Sequence, residues 1–337
     1  MAERKRSGIP GQRDLRESVT DIATEPTSNL LRYGVHGMKV GYIGLGEMGG
    51  ALARRLQLRQ PLVVFDLNSA SLKSLAESGA SPCASARELA ASCDTVFFCL
   101  PTSEHVRTAL FGENGVAQSL RPGTVVIDQT SGDPSITRSI AADLAKLQVK
   151  FVDAPVSGGP EGAQAGTIAI LVGAEPSTFD EVRPLLELIS PNISHAGGVG
   201  AGHVIKLINN LVSGAQRLLS LEAISLATKN GIDPAKACEM LVSGNARNAF
   251  LEKYLRQHVL TGKLNFGFTL SLMHKDLRLA CQLGNDSRVP MFFGNLTREM
   301  YQMCISEKGP DANVHACTLV MDRLAGTHLV PADNDLE

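Results

Sequence analysis

From residue 39 onward, short apolar runs alternate with longer stretches in which apolar positions recur every three or four residues. The runs at 40–43, 62–65, 95–100, 124–128 and 151–152, followed by 167–172, predict strands, and stretches such as 50–58, 70–77 and 136–147 between them predict helices. Fully apolar strands separated by helices are the signature of a parallel sheet covered on both faces, because a parallel connection needs a crossover. After about residue 200 the strand signal ends. Residues 203–229 keep helical spacing for nearly thirty positions without proline, and 234–242, 270–283 and 291–305 continue the helical pattern. The fold class expected is an α/β, doubly wound, mostly parallel N-terminal domain followed by an all-α C-terminal domain.

Four segments follow from this pattern: a disordered extension at 1–37, an α/β domain at 38–199, an all-helical domain at 200–327, and a tail at 328–337. The extension carries six basic and five acidic residues with Pro10 and Pro26 and no sustained periodicity. It lacks the apolar core of a secretory signal, and its acids Glu3, Asp14, Glu17, Asp21 and Glu25 do not suit a transit peptide. Translation starting at Met38 is the expectation that follows.

A net charge of -2 offers no positive field for nucleic acid or anionic lipid, and no apolar run approaches the ~18 residues that span a bilayer. Seven scattered cysteines without a C-x-x-C pair point to reduced thiols and a cytoplasmic setting, and neither they nor the histidines have the spacing of a metal site. No metal, nucleic acid or membrane is expected.

Chemistry enters with Gly44-Leu45-Gly46-Glu47-Met48-Gly49, which follows a strand and opens a helix. In a dinucleotide-binding turn the first glycine permits the bend, the second lets the backbone approach a pyrophosphate, and the third lets helix and strand pack closely. Asp66 ends the second strand 22 residues beyond Gly44, where an acid would bond ribose hydroxyls; the alternative is a structural turn with Asp66 capping the next helix. Asp66 would repel a 2'-phosphate, and Leu67 and Asn68 offer no arginine for one, so NAD is preferred with NADP possible. The turn Ser157-Gly158-Gly159, in the segment 153–159, suits either a small-carboxylate nest or an ordinary loop. Cys99-Leu100-Pro101 and the segment 128–134 end strands on the ligand-binding face of such a sheet. Lys206, Asn209 and Asn210 share a face of the long helix, where two asparagines are poor helix formers. Lys206 is either a solvated surface charge or a desolvated lysine whose pKa falls to ~7 to 8, as proton transfer near neutrality requires.

Taken in order, the glycine-rich opening 41–50, Leu100-Pro101, the segments 128–134 and 153–159 with Gly166-Thr167, Lys206-x-x-Asn209-Asn210, and Phe266-Gly267-Phe268 with Lys275-Asp276-Leu277 resemble the β-hydroxyacid dehydrogenase family. That family includes 3-hydroxyisobutyrate dehydrogenase, tartronate semialdehyde reductase and, more distantly, 6-phosphogluconate dehydrogenase. The resemblance covers roughly residues 39–325. It implies a Rossmann domain and hydride transfer between NAD(P) and a small carboxylate-bearing hydroxy acid or semialdehyde. It further implies Lys206 as general acid/base, and Ser157, Gly158, Gly159, Asn210 and Lys275 around the substrate. Gly44, Leu45, Gly46, Glu47, Met48, Gly49, Asp66, Leu100, Pro101, His105, Ser131 and Lys275 would lie along the cofactor, and a homodimer or homotetramer would form on the helical domain. Thr130-Ser131-Gly132 replaces the commoner Ser-Thr-Ile but keeps the first two hydroxyls. Asn209 stands where phosphogluconate dehydrogenases have histidine, so a phosphorylated sugar acid is not expected. Segment 242–248, expected near the pocket, matches no subfamily signature and leaves the substrate's tail open. Two other classes stay in view, a non-catalytic dinucleotide sensor and an imine-reducing relative; the intact Lys206 and Asn210 weigh against the first, and the retained lysine and the Ser157-Gly158-Gly159 carboxylate nest against the second.

Overall fold

The computed structural model describes residues 37–331. The expected extension and most of the tail lie outside the described residues. One sheet of nine strands organises the first half: β1 (Val40–Ile43), β2 (Leu62–Phe65), β3 (Ser81–Pro82), β4 (Thr95–Phe98), β5 (Val125–Asp128), β6 (Lys150–Asp153), β7 (Val156–Ser157), β8 (Ala169–Gly173) and β9 (Ile193–Gly197). Its order is β3-β2-β1-β4-β5-β6-β8-β7, with β9 paired to β8. The first six strands run parallel, β8 is antiparallel to β6 and β7, and β9 is again parallel to β8. Every residue of β1, β4 and β5 is buried, which explains why their sequences read as unbroken apolar runs.

Strand order reverses between β1 and β4, the crevice where doubly wound sheets bind ligands. Helix Glu47–Gln57 leaves β1 there and buries Gly49, Gly50, Ala51, Leu52, Ala53 and Leu56. It begins earlier than residue 50 because Gly49 and Gly50 already pack inside its first turn. Helix Ser69–Glu77 is capped by Asn68, whose side chain accepts from the Ala70 and Ser71 amides, so Asp66 is not the cap. Strand β4 stops at Phe98, two residues before the expected end, and Leu100 and Pro101 fall in the loop.

After Gly200 the described chain is helical: Ala201–Lys229, Pro234–Ser243, Leu270–Asp286, Phe292–Lys308 and Cys317–Ala325, with a wide π-helical turn at Phe250–Leu255. A second core forms around Leu218, Leu221, Ile224, Phe250, Leu277 and Tyr301. The long helix is anchored to the sheet by buried Asp153 at the end of β6. Its carboxylate accepts from the Gly200 amide at 2.6 Å and the His203 amide at 2.8 Å, satisfying donors that open helix ends leave unpaired.

Candidate active site

A cleft of about 2430 Å³ runs from the glycine-rich turn across the mouth of the sheet to the helical half. It brings together all the residues expected to bind substrate or cofactor except Leu45. The side chain of Leu45 is buried in the core, and its amide donates to Asp66 Oδ2 at 2.5 Å. The second Asp66 oxygen accepts from the Asn68 amide at 2.6 Å.

The turn passes a direct test of fit to a dinucleotide. Gly44 has φ +95°, and a Cβ there would strike the Leu100 side chain at 2.8 Å and the Cys99 carbonyl. At Gly49 a Cβ would enter the Gly44 carbonyl, whereas at Gly46 it would meet nothing within 4 Å. Two glycines therefore serve packing, and the middle one leaves an open approach to the backbone, as a phosphate group needs. Cys99 borders this region, but burial pushes its thiol up to about 12, so it is no thiolate nucleophile.

Opposite the turn, Gly158 (φ +139°) and Gly159 (φ +71°) bend the chain after Ser157 into conformations only glycine adopts easily. The Phe266 ring tip comes within 2.9 Å of where a Gly159 Cβ would sit, so Phe266 roofs the Ser-Gly-Gly turn. Asn209 Nδ2 donates to Ser157 Oγ at 3.2 Å, linking turn and long helix.

On that helix, Lys206 is buried at 8% exposure, not solvated. Its Nζ donates to Asn210 Oδ1 at 3.2 Å, and Asn210 Nδ2 donates to Asp276 Oδ2 at 2.6 Å. Asp276 Oδ1 lies 3.2 Å from Lys275 Nζ, which also donates to the carbonyls of Ser131 at 2.5 Å and Pro101 at 3.2 Å. Burial lowers the Lys206 pKa to about 8; Asp276 opposes the fall and Lys275 adds to it. The result is a neutral-range proton carrier held by an amide that an immobile carboxylate orients.

In the motif Lys275-Asp276-Leu277 only Lys275 was expected to have a role, yet Asp276 is fully buried and joins the two lysines. The adjacency of acid and lysine in a helix was the available signal. Arg217, two turns beyond Asn210, was missed as well, although 206, 210, 213 and 217 continue one helical face into the cleft. The segment 242–248 does not line the cleft, contrary to expectation; lining resumes at Ala249. Asn248 instead accepts from the Phe250 and Leu251 amides and donates to Ser220 Oγ, starting the π-helical turn.

Residues 39–197 match the family model of the NAD binding domain of 6-phosphogluconate dehydrogenase. Residues 200–321 match that described as NAD-binding of NADP-dependent 3-hydroxyisobutyrate dehydrogenase. The chain is 35% identical to 2-(hydroxymethyl)glutarate dehydrogenase of Eubacterium barkeri, over 79% of this chain and 88% of that one. It is 30% identical to 2-hydroxy-3-oxopropionate reductase of Escherichia coli, over 87% of this chain and all of the other. Among solved structures, 3-hydroxyisobutyrate dehydrogenase of Mycobacterium tuberculosis with L-serine superposes with TM-score 0.77 at 28% identity, covering 84% of this chain and 99% of that one.

Proposed function

Because the chain belongs to the β-hydroxyacid dehydrogenase family of nicotinamide-dependent oxidoreductases, we propose that it interconverts a small β-hydroxy acid and its semialdehyde, with Lys206 as the acid/base. The observation that carries this reading is the buried Lys206, its pKa lowered to about 8, in a cleft shared with a glycine-lined dinucleotide turn and a Ser-Gly-Gly turn. Residues 38–199 would hold the nucleotide and 200–327 complete the substrate pocket.

Gly44, Gly46, Glu47, Met48, Gly49 and Asp66 would hold the cofactor, with Leu100, Pro101, His105, Ser131 and Lys275 along its length. When bound there, the nicotinamide supplies the hydride acceptor or donor. Asp66, its carboxylate at the end of β2, supports NAD over NADP. The Ser157, Gly158 and Gly159 turn binds the substrate carboxylate and fixes the reacting carbon instead of letting it sample orientations. Asn210, its Nδ2 committed to Asp276, keeps its carbonyl oxygen toward Lys206 Nζ. In oxidation the neutral Lys206 amine takes the substrate hydroxyl proton; in reduction its ammonium returns a proton to the forming alkoxide.

A homo-oligomer is supported by Ile205, Ile208, Val212, Leu219 and Leu226, which expose apolar side chains along the long helix away from the cleft. No helix among the described residues is long and apolar enough to cross a membrane. Seven free thiols support a cytoplasmic setting.

The test is turnover of three- to six-carbon hydroxy acids and their semialdehydes with NAD or NADP, followed by nicotinamide absorbance. Wild-type protein oxidises at least one acid, faster with NAD, and Lys206→Ala loses at least ~10³-fold while still binding NADH. Substantial activity in Lys206→Ala overturns the assignment.

A further inference from the structure

Beyond Lys206 and Asn210 the cleft extends along the same helical face past Ser213 to Arg217, a region the proton transfer does not use. Arg217 is only 5% exposed. Its Nη1 donates to the Tyr301 hydroxyl at 3.3 Å, its guanidinium carbon stands 5.5 Å from the Phe250 ring centroid, and its Nε has no hydrogen-bond partner among the described residues. The groups acting on its charge are Tyr301, Cys317 and Tyr254, with no Asp or Glu among them. Beside it lies His315, whose two ring nitrogens are both unpartnered, stacked at 5.6 Å on His258, whose Nδ1 is also unpartnered. Burial above all, with Arg217 and His258 adding to it, drives the His315 pKa down to about 2, so this ring is neutral and offers Arg217 no counter-charge. A buried guanidinium with no carboxylate beside it is costly unless an anion completes it.

Resting on the function proposed above, we infer that Arg217 is a specificity-determining residue that binds a second, distal carboxylate, so the preferred substrates are β-hydroxy dicarboxylic acids. Arg217 stands seven residues beyond Asn210, ~10.5 Å along the helix axis. Long helical side chains lean back toward the helix N-terminus, and the Tyr301 hydroxyl that Arg217 meets also lies 3.5 Å from the Gly214 carbonyl. That brings the guanidinium about one turn nearer and leaves roughly 5 Å to bridge, the span of about four carbon–carbon bonds between carbinol carbon and distal carboxylate. A six-carbon diacid that carries its hydroxymethyl group next to the near carboxylate, as 2-(hydroxymethyl)glutarate does, has this length. A three- or four-carbon monoacid leaves Arg217 unpaired.

The experiment compares kcat/KM for 2-(hydroxymethyl)glutarate and 3-hydroxyisobutyrate in wild-type, Arg217→Lys and Arg217→Met proteins, with NADH binding and melting temperature as controls. In parallel, glutarate and butyrate are titrated calorimetrically onto the NADH-loaded proteins. The wild type favours the diacid at least ~30-fold, as expected of a charge-assisted carboxylate contact, and binds glutarate more tightly than butyrate. Arg217→Met loses that preference mainly through KM, keeps its monoacid rate within ~3-fold and melts no lower, since it removes an unpaired buried charge. Arg217→Lys retains part of the preference. Equal wild-type rates on both acids, or equal losses on both in Arg217→Met, overturn the role of Arg217 and leave the general reading intact. Oxidation of neither acid overturns that reading instead, and the glutarate titration then decides on Arg217 alone: no Arg217-dependent binding refutes it.

Discussion

Asp276→Asn tests the link between the buried carboxylate and Lys206, the proposed acid/base, without touching the lysine itself. Asp276 meets Lys206 only through Asn210, by hydrogen bonds of 2.6 and 3.2 Å in series. The two charges are therefore about 7 Å apart, and at an effective dielectric of about 20 their attraction is ~2.4 kcal/mol, or ~1.7 pH units. That attraction resists the fall of the Lys206 pKa, which still reaches about 8. Removing the negative charge lets it fall further below that value, because burial and Lys275 both act downward. Oxidation requires the neutral amine, so its rate rises with pH through the lysine pKa; reduction requires the ammonium and declines through the same value. Asp276→Asn shifts both limbs to lower pH. At pH 6.5 the fraction of Lys206 able to accept a proton increases more than ~10-fold. The assay is kcat/KM against pH in both directions, with the asparagine carbonyl still able to accept from Asn210. A loss of rate with the limb fixed near its wild-type position, or moved upward, refutes the electrostatic coupling and leaves Asp276 a merely structural support.

The glycines of the turn separate by role. Gly46→Ala meets no atom, so melting is unchanged within ~2 °C while NADH affinity falls at least ~10-fold; Gly49→Ala drives a methyl into the Gly44 carbonyl and costs about 1 to 3 kcal/mol in denaturant unfolding. Unchanged NADH affinity in Gly46→Ala would remove the open approach as an explanation. On the long helix, Leu219→Glu with Leu226→Glu, at 66% and 67% exposure, dissociates the assembly in analytical ultracentrifugation; a monomeric wild type at micromolar concentration contradicts the oligomer.

What could be read from sequence was what repeats or what strains. Strands β1, β4 and β5 are buried throughout and read as apolar runs, and the long helix announced itself by proline-free periodicity. β9, Ile193-Ser194-His195-Ala196-Gly197, was not legible because its central residues are exposed and polar and its place depends on backbone pairing with β8. In the site, Lys206 and Asn210 were visible because asparagines sit awkwardly in helices. Asp276 and Arg217 were not, since both look like ordinary helix-surface charges until tertiary packing buries them. Asn210 and Asp276 are 66 residues apart, a contact no local pattern contains.

The Asp153 clamp turns the long helix into a graduated ruler whose zero mark is welded to the sheet. Lys206 and Asn210 occupy its second and third turns, so the distance from each later position to Lys206 is set by helical rise alone. A cation moved one turn along this scale changes the accepted chain length by ~5.4 Å and leaves the proton-transfer group where it was. Selectivity in such a design is adjustable in discrete steps, and a lineage can exchange one acid for another without rebuilding its chemistry.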